Sequence, residues 1–415
     1  MTLWNPEYRV RINGYTVTGL TLSGMTITSG RTDIYQQPTA GYANLSLIET
    51  SLSSIPFEIN DPFSVEVKDS NGVFVYLFGG FITDIGIEVQ YSGSTAISQR
   101  INIIAVGALA RLNRAIYVGN IAEDDEGNQI YDLLFTLLIN TWDEVPAATT
   151  WANYNPTTTW ADAENTGLGE IDQPGNYLLE AQTNLNDTIY NIAADLATSG
   201  LGYLYEDAQG RIGYADSTRR TEYLAANGYV DLTGNHALGR GLNIIKSAGD
   251  VRNSITLVYK ATGNQSVTDS DPESITLYGQ LATTVTTKLK NQADAEDQAA
   301  FYLALRAYPQ YQMRKISFPV ASSEIDDADR DALLNVFMGM PVNISELPAN
   351  MVNGQFQGFV EGWTWTARLN QLNLTLNISP LAYSLQAERW KGVSASETWN
   401  TITSTLTWID ATIVA

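Results

Sequence analysis

At 415 residues, 44% of them hydrophobic and 16% charged, the chain has the material for about two to four domains with real cores and is not a disordered polyelectrolyte. Its 45 acidic against 23 basic residues give a formal net charge of −22, so its surface repels phosphate backbones and a nucleic-acid grip by charge is excluded. There are no cysteines, which removes disulfides, thiolate nucleophiles and cysteine-based metal sites.

Met1-Thr2-Leu3-Trp4 lacks the basic start and apolar core of a signal peptide, and no apolar run reaches about 18 residues, so the chain is expected to begin soluble and cytoplasmic. Residues 8–117 read as mostly β. Arg9–Ile12, Tyr15–Leu22, Met25–Ser29 and Ala43–Ile48 are separated by Gly, Pro or Asn punctuation, and Arg100–Val106 closes the set. The centre of this region is a long bent hairpin. Phe63, Val65 and Val67 alternate with Ser64, Glu66 and Lys68, the two-residue period of a half-buried strand. Asp69-Ser70-Asn71-Gly72 supplies turn chemistry, and Gly79-Gly80 inside the return strand marks a bulge or sharp bend. Gly107–Leu112 reads as an exit turn or short helix.

The texture changes near residue 120. Asp124–Asn128 is an acidic loop, and Ile130–Trp142 carries Leu133, Leu134, Leu137 and Leu138 at helical spacing up to Pro146. Trp151 and Trp160 stand in a Thr/Asn/Pro-rich stretch that reads as an ordered loop with aromatic anchors, a texture that carbohydrate-binding loops share. Leu185, Ile189, Ile192, Ala193 and Leu196 form one stripe of a second helix, capped by Asn184 or Asn186 and stopped by Gly200. Leu204–Asp216 makes a hairpin around Asp207-Ala208-Gln209-Gly210.

A second β-module starts near Leu242 and is interrupted by residues 262–312. Within these, Gln292–Tyr308 is a helix with acids in its first turn, Arg306 in its last and Pro309 just beyond. Asp326–Met338 is another helix, and residues 341–380 complete the module. Phe78, Gly80 and Phe81 align with Phe356, Gly358 and Phe359 at a constant offset of 278 residues, and an alternating strand follows each set. Met25–Ser29 followed by Ala43–Ile48 also resembles Leu242–Lys246 followed by Ser254–Tyr259. A duplicated β-barrel or sandwich is expected, although two unrelated β-domains can share such patterns. From Tyr383, Trp390, Trp399 and Trp408 recur every nine residues without a helical stripe, which reads as an extended arm on a neighbouring subunit or a strand folded back.

Little here points to chemistry. His236 is the sole histidine, too few for a usual zinc site, and no nucleophile-elbow sequence accompanies it. Asp269 with Asp271, or Asp326 with Asp329, are paired carboxylates of the kind glycosidases use, but they read better as a turn and a helix start. The acidic loop lacks the alternation of a calcium loop, and no phosphate-cradling motif is present. No catalytic, cofactor-binding or metal residue is assigned.

Taken together, Ile12-Asn13-Gly14, Thr26–Asp33, Gln37–Gly41, Leu45-Ser46-Leu47, the strand at 78–85, the hairpin at 200–216, the helix ending before Pro309 and the spaced tryptophans resemble the minor tail proteins of long-tailed actinobacterial phages, the tail-tip hubs of baseplates. The resemblance covers nearly the whole chain and rests on the order of its motifs. It implies a β-rich α+β chain of two tail-tube-like barrels (1–119, and 238–261 with 313–382), an α+β module between them (120–237, extended by 262–312) and an extended arm (383–415). It also implies a structural virion protein: a homotrimer closing the tail tube with pseudo-sixfold symmetry, in contact with tube, distal tail, tape measure and tip fibre proteins. DNA would pass through without specific binding, and assembly would occur in the host cytoplasm with no membrane segment. A C-terminal lysozyme, peptidase or long fibre domain, which some hubs carry, is absent, against an intrinsic cell-wall-degrading role. The alternatives are a receptor- or carbohydrate-binding tip protein and, third, a peptidoglycan hydrolase using carboxylates.

Overall fold

The computed structural model describes residues 4–139 and 170–381, apart from positions 53, 54, 56, 93, 94, 240, 261, 262, 264 and 369. The Trp151/Trp160 loop and the arm from Tyr383 lie outside the described residues. In the first part the strands are β1 (Tyr8–Ile12), β2 (Tyr15–Thr16), β3 (Leu20–Gly30), β4 (Tyr42–Glu49), β5 (Pro62–Lys68), β6 (Phe74–Ser92) and β7 (Thr95–Val106). The expected hairpin is β5–β6. Its turn is held by Asp69 Oδ1, which accepts from the Asn71 and Val73 backbone N–H groups at 2.9 and 2.7 Å. Tyr15–Leu22 is not one strand: Gly19, at φ +79°, ends β2 and lets β3 begin at Leu20.

The middle of the chain supplies β8 (Ile116–Ile121), β9 (Asp124–Asp125), β10 (Leu178–Leu179), β11 (Gln182–Thr188), β12 (Tyr203–Glu206) and β13 (Ile212–Ala215). Then come β14 (Val230–Thr233), β15 (Asn243–Lys246), β16 (Ser254–Tyr259), β17 (Gln265–Ser270) and β18 (Ala282–Thr286). The last four strands are β19 (Tyr311–Pro319), β20 (Pro341–Ser345), β21 (Phe356–Arg368) and β22 (Gln371–Pro380).

Among the described residues a 13-stranded sheet runs in the order β15-β19-β22-β21-β3-β4-β7-β6-β5-β1-β2, with β20 beside β21 and β14 beside β20. The two β-modules are thus joined edge to edge through β21 and β3 instead of closing separately. The strand order repeats. β3-β4-β7-β6-β5 in the first part is matched by β15-β19-β22-β21-β20 in the second. The details repeat too. Pro62 faces Phe81 and Pro341 faces Phe359, while the register slips once after Ile82 and once after Val360. Gly80 and Gly358 each lie so close to the following strand that an added Cβ would sit 2.2 Å from the Val106 carbonyl oxygen or 2.0 Å from that of Ser379.

The counterpart of Ala43–Ile48 is β19, not Ser254–Tyr259. Strand β16 pairs with β17 and β18 in a separate three-stranded sheet. An apolar alternation fixes a strand but not its neighbour, which explains the difference. The helix Gln292–Arg306 packs with that sheet, and Ile255, Leu257, Ala299 and Leu303 share one core with Leu133, Ile192 and Leu196 of the middle region. The cap of the helix Ile189–Ser199 is Thr188, whose side chain accepts from Asn191 N–H at 3.2 Å. Asn184 instead sits at φ +55° in the β11 irregularity, a conformation Asn tolerates. Asp271 is likewise a cap rather than a turn residue: its Oδ1 accepts from Ser274 N–H at 2.9 Å, with Pro272 in the first turn of the helix Pro272–Tyr278.

Candidate assembly surface

The large sheet has two unlike faces. Ala105, Ala43, Ile27, Trp365, Leu374 and Phe318 are successive cross-strand neighbours on six strands drawn from both halves, and all are buried. They belong to one hydrophobic core. One position along, the other face carries Tyr42, Thr28, Thr364, Thr375 and Ser317 in register, with Asn44, Thr26, Thr366 and Asn373 in the next row. The Ser317 and Thr375 hydroxyls lie 2.8 Å apart and those of Thr28 and Thr364 3.5 Å apart. Apart from Tyr42, the residues named in those rows are small, polar and uncharged.

The joint between the halves is clamped. Gly362 faces Gly30 across it, and an added Cβ on either would strike backbone of the opposite strand, at 2.3 Å for Gly30 and 2.6 Å for Gly362. This close approach puts the Glu361 carboxylate between two guanidinium groups. Arg31 Nε donates to Oε2 at 2.8 Å, Arg220 donates to both oxygens at 2.6 and 2.9 Å, and Ser379 Oγ donates to Oε1 at 2.6 Å. Burial alone would push this carboxyl up, but the guanidiniums of Arg220 and Arg31 outweigh it and hold it at about 2. Arg220 comes from the helix Arg219–Asn227, so the clamp ties both halves to the middle region.

Two further buried carboxylates tie backbone to backbone. Glu206 accepts from the Gly41 N–H and, at 2.9 Å, from the Leu109 N–H; burial pushes it up to about 7. Glu126 accepts from Asn176 and Tyr177 N–H at 2.8 and 2.7 Å and is also pushed up to about 7 by burial. Glu170 and Asp172 both pair with Arg219, at 2.9 and 2.6 Å, which neutralises an acid pair that could otherwise resemble catalytic carboxylates. Sequence reading missed all of these. The available signals were Glu361 standing alone in Phe359-Val360-Glu361-Gly362-Trp363 and the doublet Arg219-Arg220.

The residues considered for chemistry are not brought together. His236 ends a short turn with Nδ1 3.6 Å from Asp329 Oδ2, and Asp326 caps the helix Asp327–Leu334 by accepting from Asp329 N–H at 2.8 Å. Asp269 closes β17 while Asp271 is the cap described above. Among the described residues no three potential metal ligands cluster, and no helix is long and apolar enough to cross a membrane.

No protein-family model matches the chain, and no curated protein matches it in sequence. Solved structures do share its fold. A 43 kDa tail protein of prophage MuSo2 from Shewanella oneidensis superposes with a TM-score of 0.57 at 11% identity, covering 91% of this chain and 99% of that one. A tail protein from Neisseria meningitidis MC58 gives 0.57 at 14% identity, over 90% and 96% of the two chains. At these identities the likeness is one of fold, and it spans nearly the full length of each partner: the architecture is that of phage tail proteins.

Proposed function

We propose that the chain is a structural protein of a phage tail tip, a hub that closes the tail tube and lets DNA pass at ejection. The observation that carries this is the repeated strand order, β3-β4-β7-β6-β5 and β15-β19-β22-β21-β20, in a chain whose fold is shared with the tail proteins of prophage MuSo2 and of Neisseria meningitidis. A single chain that presents the same unit twice is what a symmetry adapter needs, because three copies then offer six equivalent units to a sixfold tube. We read the halves as an internal duplication and the assembly as a homotrimer that meets tube, tape measure and tip fibre proteins of the same virion. Glu126 and Glu206 serve backbone N–H groups and Glu170, Asp172 and Glu361 serve guanidiniums, which supports a non-enzymatic role.

Mass photometry of the purified protein should find a species of three times 45.5 kDa, and electron-microscopy class averages should show a ring with six lobes. A well-folded monomer at all concentrations, without affinity for any tail protein, would refute the reading.

A further inference from the structure

Two strand edges of the large sheet, one in each half, have no described partner. Strand β6 is paired with β5 only as far as Phe81, and Ile82 still bonds to Asn60 and Asp61 on that side; from Thr83 onward it pairs with β7 alone. Strand β15 pairs with β19 alone. In the repeated strand order β21 occupies the place of β6 and β3 that of β15, and β21 and β3 are joined over seven residue pairs. The open edges are therefore the two halves of a joint that already exists once inside the chain.

The side chains make the same point. Trp365 and Ala367 on β21 are each 1% exposed, whereas the residues 278 positions earlier on β6, Ile87 and Val89, are 56% and 39% exposed. These are core-facing positions without a cover. The charges on the edges are complementary. Exposed Asp84 and Glu88 lie on the β6 side, while exposed Arg314 and Lys315, with Asp250 3.4 Å from Arg314, lie on the β15–β19 side. Like edges would therefore repel and unlike edges attract, which favours a head-to-tail contact that closes into a ring.

Resting on the trimeric hub reading, we infer that β15 of a second copy lies antiparallel along β6, with Ile244 opposite Ile87. The register follows from the internal joint. Ile27 faces Ala43, Ala43 faces Ala105, and Ala105 faces Ile82; Ile244 faces Met313, Met313 faces Ile378, and Ile378 faces Val360. Ile27 and Ile244 are thus equivalent, and Ile27 faces Trp365, the equivalent of Ile87. The same transfer puts Thr83 where Glu361 stands and Ala248 where Arg31 stands. The seam between copies lacks the ionic clamp and is the one at which the ring separates.

The absence of cysteine makes the test clean. The double variant Ile87→Cys with Ile244→Cys should, under mild oxidation, run as covalent dimers and trimers on a non-reducing gel. Facing residues in antiparallel strands lie at roughly the Cα separation a disulfide needs. Within one chain the two sites are seven strand steps apart, about 34 Å along the sheet, and an internal bond would give only a band of monomer mass, which the gel separates from covalent dimers and trimers. Each single variant should stay uncrosslinked, and Ile87→Cys with Ile245→Cys, one residue out of register, should link at least about tenfold more slowly. Ile87→Arg should turn the trimer into a monomer whose circular dichroism spectrum matches that of the wild type, with a melting temperature that no longer rises with protein concentration. A trimer in which the 87/244 pair fails to link, or in which Ile87→Cys links to itself, would overturn this seam while leaving the hub reading intact. A wild-type chain that stays monomeric at all concentrations would overturn this seam, and one that also lacks affinity for any tail protein would overturn both.

Discussion

Glu361→Gln is the sharpest probe of what holds the two halves together. The side chain is 2% exposed, with Arg31 at 8% and Arg220 at 5%, so the substitution leaves two buried guanidiniums facing a neutral amide. At an effective dielectric constant of about 20, a charge pair 4 Å apart is worth about 4 kcal/mol, and the contacts here are shorter. Desolvation of the three ions offsets much of that, so the pair is not a large net source of stability. Breaking it leaves uncompensated charge, which costs about 3–5 kcal/mol. The shift should be read from urea denaturation, as the change in midpoint at unchanged slope. Thr83→Val is the matched control. Thr83 occupies the equivalent place in the first half, where its hydroxyl donates only to the Ile104 carbonyl at 3.2 Å, and its loss should cost about 1 kcal/mol. The pH dependence gives a second signature. With the folded carboxyl at about 2 and the ordinary value at 4.5, the contribution is complete above 4.5 and is lost as pH falls through about 2. If Glu361→Gln costs no more than Thr83→Val, the clamp is not what joins the halves.

Glu126 and Glu206 predict the opposite slope at higher pH: their folded values near 7 lie above 4.5, so their contribution is complete below 4.5 and lost as pH rises through about 7, a trend that Glu206→Gln should flatten in a midpoint-versus-pH series. Gly80→Ala and Gly358→Ala should each cost more than about 2 kcal/mol by denaturation, because both place a Cβ against a carbonyl oxygen of the next strand. Trp365→Ala should cost about 3–5 kcal/mol, whereas Ile87→Ala, at the equivalent but exposed position, should cost the isolated chain less than about 1 kcal/mol.

Much of the fold could be read from period and punctuation. Phe63–Lys68 alternates, its turn residues follow, and β5–β6 forms there. The Gly80/Gly358 correspondence was visible because a missing side chain is the only way two backbones approach that closely. What sequence could not supply was partnership. Ser254–Tyr259 has the right alternation for the large sheet yet pairs with β17 and β18, because an apolar period carries no address. Caps failed for a related reason: Thr188, Asn186 and Asn184 are all competent, and only the end of β11 decides between them. The clamp was illegible because its members lie 141 and 330 residues apart from Glu361 along the chain.

The polar face bears on how DNA would move through such a ring. Were the lumen lined by the rows through Thr28, Thr364 and Thr375, phosphates would pass hydroxyl and amide groups that offer neutral hydrogen bonds and no fixed cation. The net charge of −22 then need not face the channel to prevent sticking, since a wall without Lys or Arg already lacks the counterion-release term that dominates affinity for DNA. Cations do enter at one end. Arg306, Arg314 and Lys315 line a cavity of about 690 Å³ together with Thr28, Thr364 and Thr375. Arg314 there approaches Asp250 at 3.4 Å, and the Arg306 guanidinium lies over the Tyr35 ring, 3.8 Å from its centre. Closing the proposed seam would bring the β15–β19 edge beside Asp84 and Glu88 of the next copy. The cations of one chain, already offset in part by Asp33, Asp250 and Glu361 of the same cavity, would then be screened further by the acids of its neighbour.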